Sequence, residues 1–255
     1  MALHIQYASD LHLEFLKNSD YLAQHPLQVA GDILVLAGDI AHLGKEYAKH
    51  PFWDWAADHY EQVVIIPGNH EFYGGFDLDS MHKGWRLQIR PNVTCHYNDR
   101  LTFGDTELIL SPMWSTISIE RAMATQAAVN DFRLIRCGSK PLDWVRFNEE
   151  HFRCFHFLHD AIHTSTAAHI VVVTHHLPSF ELLAPEFLGS PLNGAFVTDL
   201  HGFIEANPIE YWIYGHSHRN IDRRIGRTQC LSNQLGYVGN GEHRTFDPGR
   251  AIRIE

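Results

Sequence analysis

The chain has 255 residues, 45% of them hydrophobic, which is enough for one large α/β domain or two small ones. Its 20 basic side chains face 30 acidic ones, and the formal charge of −10 argues against a duplex nucleic-acid binder that works by neutralising phosphates. Histidine is as abundant as lysine and arginine together, at 20 residues, and this points to metal chemistry.

The first apolar run, Leu3–Ala8, predicts a strand that gives out at Asp10. The connection over 11–30 leaves room for a short helix at 21–25. Ile33–Ala37 is uninterrupted apolar sequence, the pattern of a buried strand; Gly38 breaks it and Asp39 stands at its tip. Trp53, Ala56, Ala57 and Tyr60 recur at near-helical spacing, with Pro51 at the helix start. Residues 63–66 predict a third strand, followed by an aromatic-glycine turn at 72–75. A helix is expected over 77–89, then strands at Val93–Tyr97 and 107–110 joined across a turn at 102–105. The segment 114–130 begins as loop and becomes alanine-rich helix. A long helix opens at Pro141 and ends by about Ala167, with Leu142, Val145, Phe152, Phe155, Leu158 and Ile162 as its apolar face. A strand at 170–173, a proline-bearing loop over 177–193 and a helix at 197–206 follow. Strands at Tyr211–Tyr214, Thr228–Ser232 and Ala251–Ile254 close the chain.

Strands and helices alternate, with antiparallel-looking pairs in the middle and at the end. That pattern predicts an α/β fold class of two packed sheets, a β-sandwich flanked by helices, in a single domain over residues 1–255. Cys95, Cys137, Cys154 and Cys230 are scattered and form no CxxC pair, which argues against a disulfide framework or a cysteine zinc site. The N-terminus carries no long apolar leader region, and no run reaches the ~20 apolar residues of a membrane helix. A soluble, cytoplasmic protein with reduced thiols and no membrane partner is expected.

Five apolar runs end in residues able to bind metals: Asp10 and His12, Asp39, Asn69 and His70, His175 and His176, His216 and His218. Side chains two apart on a strand share a face, so Asp10 with His12, and His216 with His218, can reach one ion together. Gly38, Gly68 and Gly215 each precede a candidate ligand and permit a sharp turn. Mixed carboxylate, imidazole and amide donors suit manganese, iron, zinc, cobalt or nickel, and not the closed cysteine shell of a structural zinc.

The ordered blocks Asp10-Leu-His12, Gly38-Asp39, Gly68-Asn69-His70-Glu71, Thr174-His175 and Gly215-His216-Ser217-His218 span residues 10–218. In them the sequence resembles the calcineurin-like metallophosphoesterase superfamily. The resemblance implies a β-sandwich flanked by helices and two divalent or mixed-valence metal ions. Asp10, His12, Asp39 and His218 would hold one; Asp39, Asn69, His175 and His216 would hold the second. His70 would be catalytic, near the leaving group and off the metals. A metal-bridging hydroxide would then attack phosphorus in line while His70 assists the leaving group. The expected activity is hydrolysis of a small phosphate ester, with a phosphodiester such as a cyclic nucleotide or nucleotide derivative preferred. The alternatives are a phosphomonoesterase or phosphoprotein phosphatase, and, as a different class, a non-catalytic scaffold of the same fold.

The sequence also departs from relatives. The stretch Gly38-Asp39-Ile40-Ala41-His42-Leu43-Gly44 lacks the aspartate and arginine that serine/threonine phosphatases carry there, which leaves the carboxylate partner of His70 unassigned. His42 stands where purple acid phosphatases have a tyrosine ligand. The tail, Asn233-Gln234-Leu235-Gly236-Tyr237 and Phe246-Asp247-Pro248, is similar to bacterial metallophosphoesterases of undefined substrate. Four further residues or groups have two readings each. Arg133 either holds a substrate phosphate or makes a surface ion pair. His176 either supports the ligands or contacts substrate beside His175, or it points away from the face of His175. Glu71 either orients a histidine or is a solvated acid. Trp114, Phe72 and Tyr73 either wall the cleft or are plain core.

Overall fold

The computed structural model describes residues 2–255. Its strands in chain order are β1 (Leu3–Ala8), β2 (Ile33–Ala37), β3 (Gln62–Ile66), β4 (Trp85–Arg90), β5 (Val93–Tyr97), β6 (Asp99–Phe103), β7 (Thr106–Leu110), β8 (Arg136–Cys137), β9 (Lys140–Pro141), β10 (His169–Val173), β11 (Tyr211–Tyr214), β12 (Arg223–Ile225), β13 (Thr228–Ser232) and β14 (Ala251–Ile254). The helices are α1 (Leu16–Gln24), α2 (Phe52–His59), α3 (Ala122–Ala128), α4 (Asp131–Leu134), α5 (Trp144–Thr164) and α6 (His201–Ala206). One six-stranded sheet has the order β14-β1-β2-β3-β5-β4, and the other β12-β13-β11-β10-β7-β6.

The layering follows from strand periodicity. Successive side chains of a strand face opposite ways. In β2, Val35 and Ala37 join Tyr7, Val64 and Ile66 between the sheets, against Leu108, Leu110, Val171 and Val173 of the other sheet. Leu34 and Leu36 face outward onto Leu22 of α1 and Trp53 and Ala56 of α2. On the far side, Ile170, Val172 and Trp212 pack on Phe157, Leu158, Ala161 and Ile162 of α5. Strands buried on both faces need continuous apolar sequence, which is why ILVLA and IVVV are unbroken. The order helix, sheet, sheet, helix is the expected sandwich.

Strands β1, β2, β3 and β5 are parallel, as are β7, β10, β11 and β13. In each sheet the carboxyl ends of these strands therefore lie along one edge, and the candidate ligands follow those ends. The antiparallel strands β14, β4, β12 and β6 take the outer positions.

Local readings change in several places, the first being the short helix expected at 21–25, which is α1 over Leu16–Gln24. The helix expected at 77–89 is a single turn, Leu78–Ser80, followed by β4. Gly84 at φ 75° stops helical propagation, and Trp85, Leu87 and Ile89 alternate at period two on a strand paired to β5. The long helix starts at Trp144, because Pro141 lies in the β8–β9 ribbon and Asp143 caps the helix by accepting from Arg146 N at 2.8 Å. Val145 and Phe152 are exposed on it, and the buried face includes Phe147 and Cys154. The helix expected at 197–206 shortens to α6, since Val197 bridges Leu177. Strands β6, β8, β9 and β12 were not anticipated, and the turn expected at 102–105 is partly β6, which pairs with β7 while β5 lies in the other sheet. All four cysteines are free thiols. Among the described residues no helix is long and apolar enough to cross a membrane.

Candidate metal centre

Three of the five strand ends, those after β1, β2 and β11, turn inward through backbone that side chains seldom adopt. Asp10 (φ 54°), His12 (φ 48°), Asp39 (φ 56°), His216 (φ 77°) and His218 (φ 51°) are all left-handed. Each such residue costs on the order of 1–3 kcal/mol, so the surroundings must hold it. Asp10 with His12, and His216 with His218, thus converge by turn geometry beyond their strands, not by strand alternation. Hydrogen bonds between the turns supply the restraint: Asp10 N donates to Gly38 O at 2.9 Å and His12 N to Asp39 O at 3.0 Å. Glu71 does neither of the things expected of it. Fully buried, it accepts from Asp39 N (2.9 Å), Ile40 N (2.8 Å) and Gly68 N (2.6 Å), tying two ligand turns together. Burial and the nearby Asp39 charge push its carboxyl up to about 8. At Gly68 any Cβ would strike Asp39 Oδ1 and come within 2.6 Å of His175 Nε2.

Two donor groups share Asp39. In the first, Asp10, His12, Asp39 and His218 bring ligand atoms within 4.8 Å of one another. His12 Nε2 and His218 Nε2 are 3.0 Å apart, His218 Nε2 is 3.4 Å from Asp10 Oδ1, and His12 Nε2 is 3.8 Å from Asp39 Oδ2. The second group gathers on His175 Nε2. It lies 3.1 Å from Asn69 Oδ1, 3.1 Å from His216 Nδ1 and 3.3 Å from Asp39 Oδ1. Asp39 therefore turns one oxygen to each group.

The ring nitrogens that face outward are fixed. His12 Nδ1 donates to Glu14 Oε1 (3.0 Å), His218 Nδ1 to Glu242 Oε2 (2.7 Å), His175 Nδ1 to Ala37 O (2.9 Å) and His216 Nε2 to Ala195 O (3.3 Å). Each bond leaves the opposite nitrogen as the one that faces its donor group, where a cation can take the place of a proton, the arrangement that metal-binding histidines use. Asn69 is set in the same way. Its Nδ2 donates to Asp131 Oδ1 at 2.9 Å and to Tyr73 OH at 3.1 Å, so Oδ1 faces His175. Tyr73 OH also donates to Asp131 Oδ1, at 2.5 Å.

The charges agree. Burial alone would raise the carboxyl of Asp39, yet His175 and His70 beside it hold it well below its usual range. Burial opposes charge on His175 and His218, but Asp39 raises the first to about 9, and Asp10 and Glu242 raise the second to about 10. The carboxylates thus draw positive charge into a buried site. Oxygen and imidazole donors with fixed tautomers fit divalent cations of the borderline class.

His70 sits beside both groups. Its backbone N donates to Asp39 Oδ1 at 2.9 Å, and its Nδ1 donates to Glu14 Oε1 at 2.9 Å. Tyr237 OH lies 3.3 Å from its Nε2. Glu14 was missed from the sequence, although Asp10-x-His12-x-Glu14 repeats an acid or histidine at every second position. Asp131 and Glu242 were also missed; nothing local marks them. His176 is buried with its ring 4.2 Å from His216 and 5.2 Å from Trp114, and neither ring nitrogen has a partner. Trp114 and Phe72 are core, whereas Tyr73 lines the cleft. Arg133 is exposed, bonds Asn130 Oδ1 and does not line the cleft. That cleft, about 520 Å³, is bordered by Asp39, Asn69, His70, His216 and His218.

Residues 3–220 match the family model for calcineurin-like phosphoesterases. The chain belongs to this family of metal-dependent hydrolases of phosphate esters. An uncharacterised protein of Acanthamoeba polyphaga mimivirus is 27% identical over 278 residues, covering 98% of this chain and 96% of its own. Phosphopantetheinyl hydrolase from Mycobacterium tuberculosis is similar in structure, with TM-score 0.67 and 18% identity over 98% of this chain and 95% of that one. The protein TT1561 of Thermus thermophilus follows at TM-score 0.50 and 12% identity, over 99% and 98%. At these identities the two structural likenesses speak for the fold.

Proposed function

We propose that this protein hydrolyses small phosphodiesters at two divalent metal ions. One would be held by Asp10, His12, Asp39 and His218, the other by Asp39, Asn69, His175 and His216. The observation that carries the reading is Asp39, whose Oδ2 faces His12 Nε2 at 3.8 Å while its Oδ1 faces His175 Nε2 at 3.3 Å. When bound, such a cation pair polarises phosphoryl oxygens and activates water.

The chain's own groups do the rest. Burial lowers the proton affinity of His70, but Asp39 and Glu14 more than offset it and favour the imidazolium. Glu14 accepts the hydrogen bond from Nδ1–H, so Nε2 is the atom that presents a proton to a leaving oxygen. Preference for a diester rests on charge. Arg219 is the one lysine or arginine among the described residues of the cleft lining, and its Nε already donates to Glu186 Oε1 at 2.7 Å. A diester brings one negative charge, a monoester dianion two, and beyond the metals and the His70 imidazolium, which faces the leaving oxygen, the cleft lining supplies no unengaged cation for the second.

The test is turnover of bis-p-nitrophenyl phosphate and p-nitrophenyl phosphate by protein loaded with manganese, zinc, iron, cobalt or nickel. The diester should be the better substrate by kcat/KM. Equal or better turnover of the monoester would reject the diester preference. Inertness with every metal would favour the non-catalytic scaffold.

A further inference from the structure

We infer that the organic group of the ester lies against an apolar wall beside the second donor group, and that this wall selects an alkyl or aryl group over a nucleoside. The inference rests on the phosphodiesterase reading and specifies its substrate class.

The wall comes from the proline-bearing segment between β10 and α6. Leu183, Phe187, Leu192 and Phe196 line the same cleft as Asn69 and His216, and Val129 faces it too. Phe196 places the wall against the donor atoms, because its ring stacks on that of His216 at 4.8 Å and 27°. Phe187, Leu192 and Phe196 are each only half-buried, so apolar surface remains for a ligand to cover. Covering it removes apolar area from water on both partners.

Part of the hydrogen-bonding capacity along this wall is already spent within the protein. Asn193 Nδ2 donates to Phe187 O at 2.9 Å, and Ser190 Oγ accepts from Leu192 N at 3.3 Å. Asn130 Oδ1 accepts from Arg133. Arg219 donates to Glu186 and to His218 O (2.9 Å), with its guanidinium 5.5 Å from the Phe187 ring centroid. A ribose or a base edge placed here would give up hydrogen bonds to water and find few in return, which is costly. A hydrocarbon group loses nothing. Arg219 thus pins the loop that carries the wall to the turn that carries His218, and so keeps wall and donors in register.

The experiment is a series of p-nitrophenyl phosphodiesters whose second ester is methyl, butyl, hexyl, phenyl or thymidine 5′-yl, assayed with the manganese-loaded full chain. The kcat/KM should rise by about tenfold or more from methyl to hexyl, with the thymidine ester below hexyl and phenyl. In Phe187→Ala and Leu192→Ala the hexyl-to-methyl ratio should collapse towards one. A flat or falling series, a thymidine ester that matches the hexyl ester, or a ratio untouched by both substitutions overturns the wall while leaving the diesterase standing. No turnover of any member with metal present overturns the diesterase and the wall together.

Discussion

Glu14 and His70 share a hydrogen bond of 2.9 Å between Oε1 and Nδ1, and the same oxygen accepts from His12 Nδ1 at 3.0 Å. One carboxylate thus orients both a candidate ligand and the candidate acid. Burial opposes its charge, but the two histidines hold it down at about 2, so it stays ionised through the neutral range. Glu14→Gln should lower kcat by about 10–100-fold, the usual effect of removing a supporting carboxylate behind a metal-binding histidine. Steady-state kinetics beside metal analysis checks this; wild-type kcat would remove Glu14 from the machinery.

Asp131 acts on the other donor group. It is buried and holds the Asn69 amide with its oxygen towards His175. In Asp131→Ala only Tyr73 OH still holds the NH₂, a weaker restraint against the amide turning that group inward, where it repels a cation. Affinity for the second metal should fall about 10–100-fold while the first is retained. Calorimetric titration resolves the two sites, and unchanged affinity at both would show that Asn69 needs no such support.

Glu71 is a fold determinant placed inside a functional motif. Glu71→Ala would leave the buried N–H groups of Asp39, Ile40 and Gly68 without their acceptor. Each costs roughly 1–3 kcal/mol, so the loss should total about 3 kcal/mol or more. Urea unfolding measures it; a loss below about 1 kcal/mol would mean that the turns relax onto water.

Asp99 carries a pH dependence away from the centre. Burial opposes its charge, yet bonds from His96 Nδ1 (2.8 Å) and Arg86 Nε (2.5 Å) depress its carboxyl far below the ordinary range. A depressed carboxyl contributes stability above its unfolded pKa of about 3.9 and loses it as pH falls through the folded value. Asp99→Asn should therefore have a lower Tm at neutral pH, and its deficit should shrink as the medium is acidified below about pH 4. A constant deficit would contradict the ion-pair account.

What could be read from the chain was local. Gly38-Asp39, Gly68-Asn69-His70 and Gly215-His216-Ser217-His218 each carry their turn and their donors within a few residues, next to a strand that is apolar on both faces. Partnerships across the chain left no such trace. Asp131 meets Asn69 from 62 residues away, and Glu242 meets His218 from 24. Attention fell on Arg133 because a cation suits a phosphate, whereas the fold exposes it and buries its neighbour Asp131. The β4 segment failed for another reason: Trp85, Leu87 and Ile89 alternate over too short a run to outweigh the polar residues before them. Convergence by left-handed turns was invisible, since Asp, Asn and His tolerate that backbone without requiring it.

The sharing of Asp39 between two cations is tested most directly by counting metal. Protein freed of metal and then titrated with manganese should bind two ions per chain, and Asp39→Ala should bind neither tightly and lose turnover, while His70→Ala keeps both ions and loses most of the rate. A wild-type chain that saturates at one ion, or an Asp39→Ala chain that still binds two and turns over substrate, would contradict it.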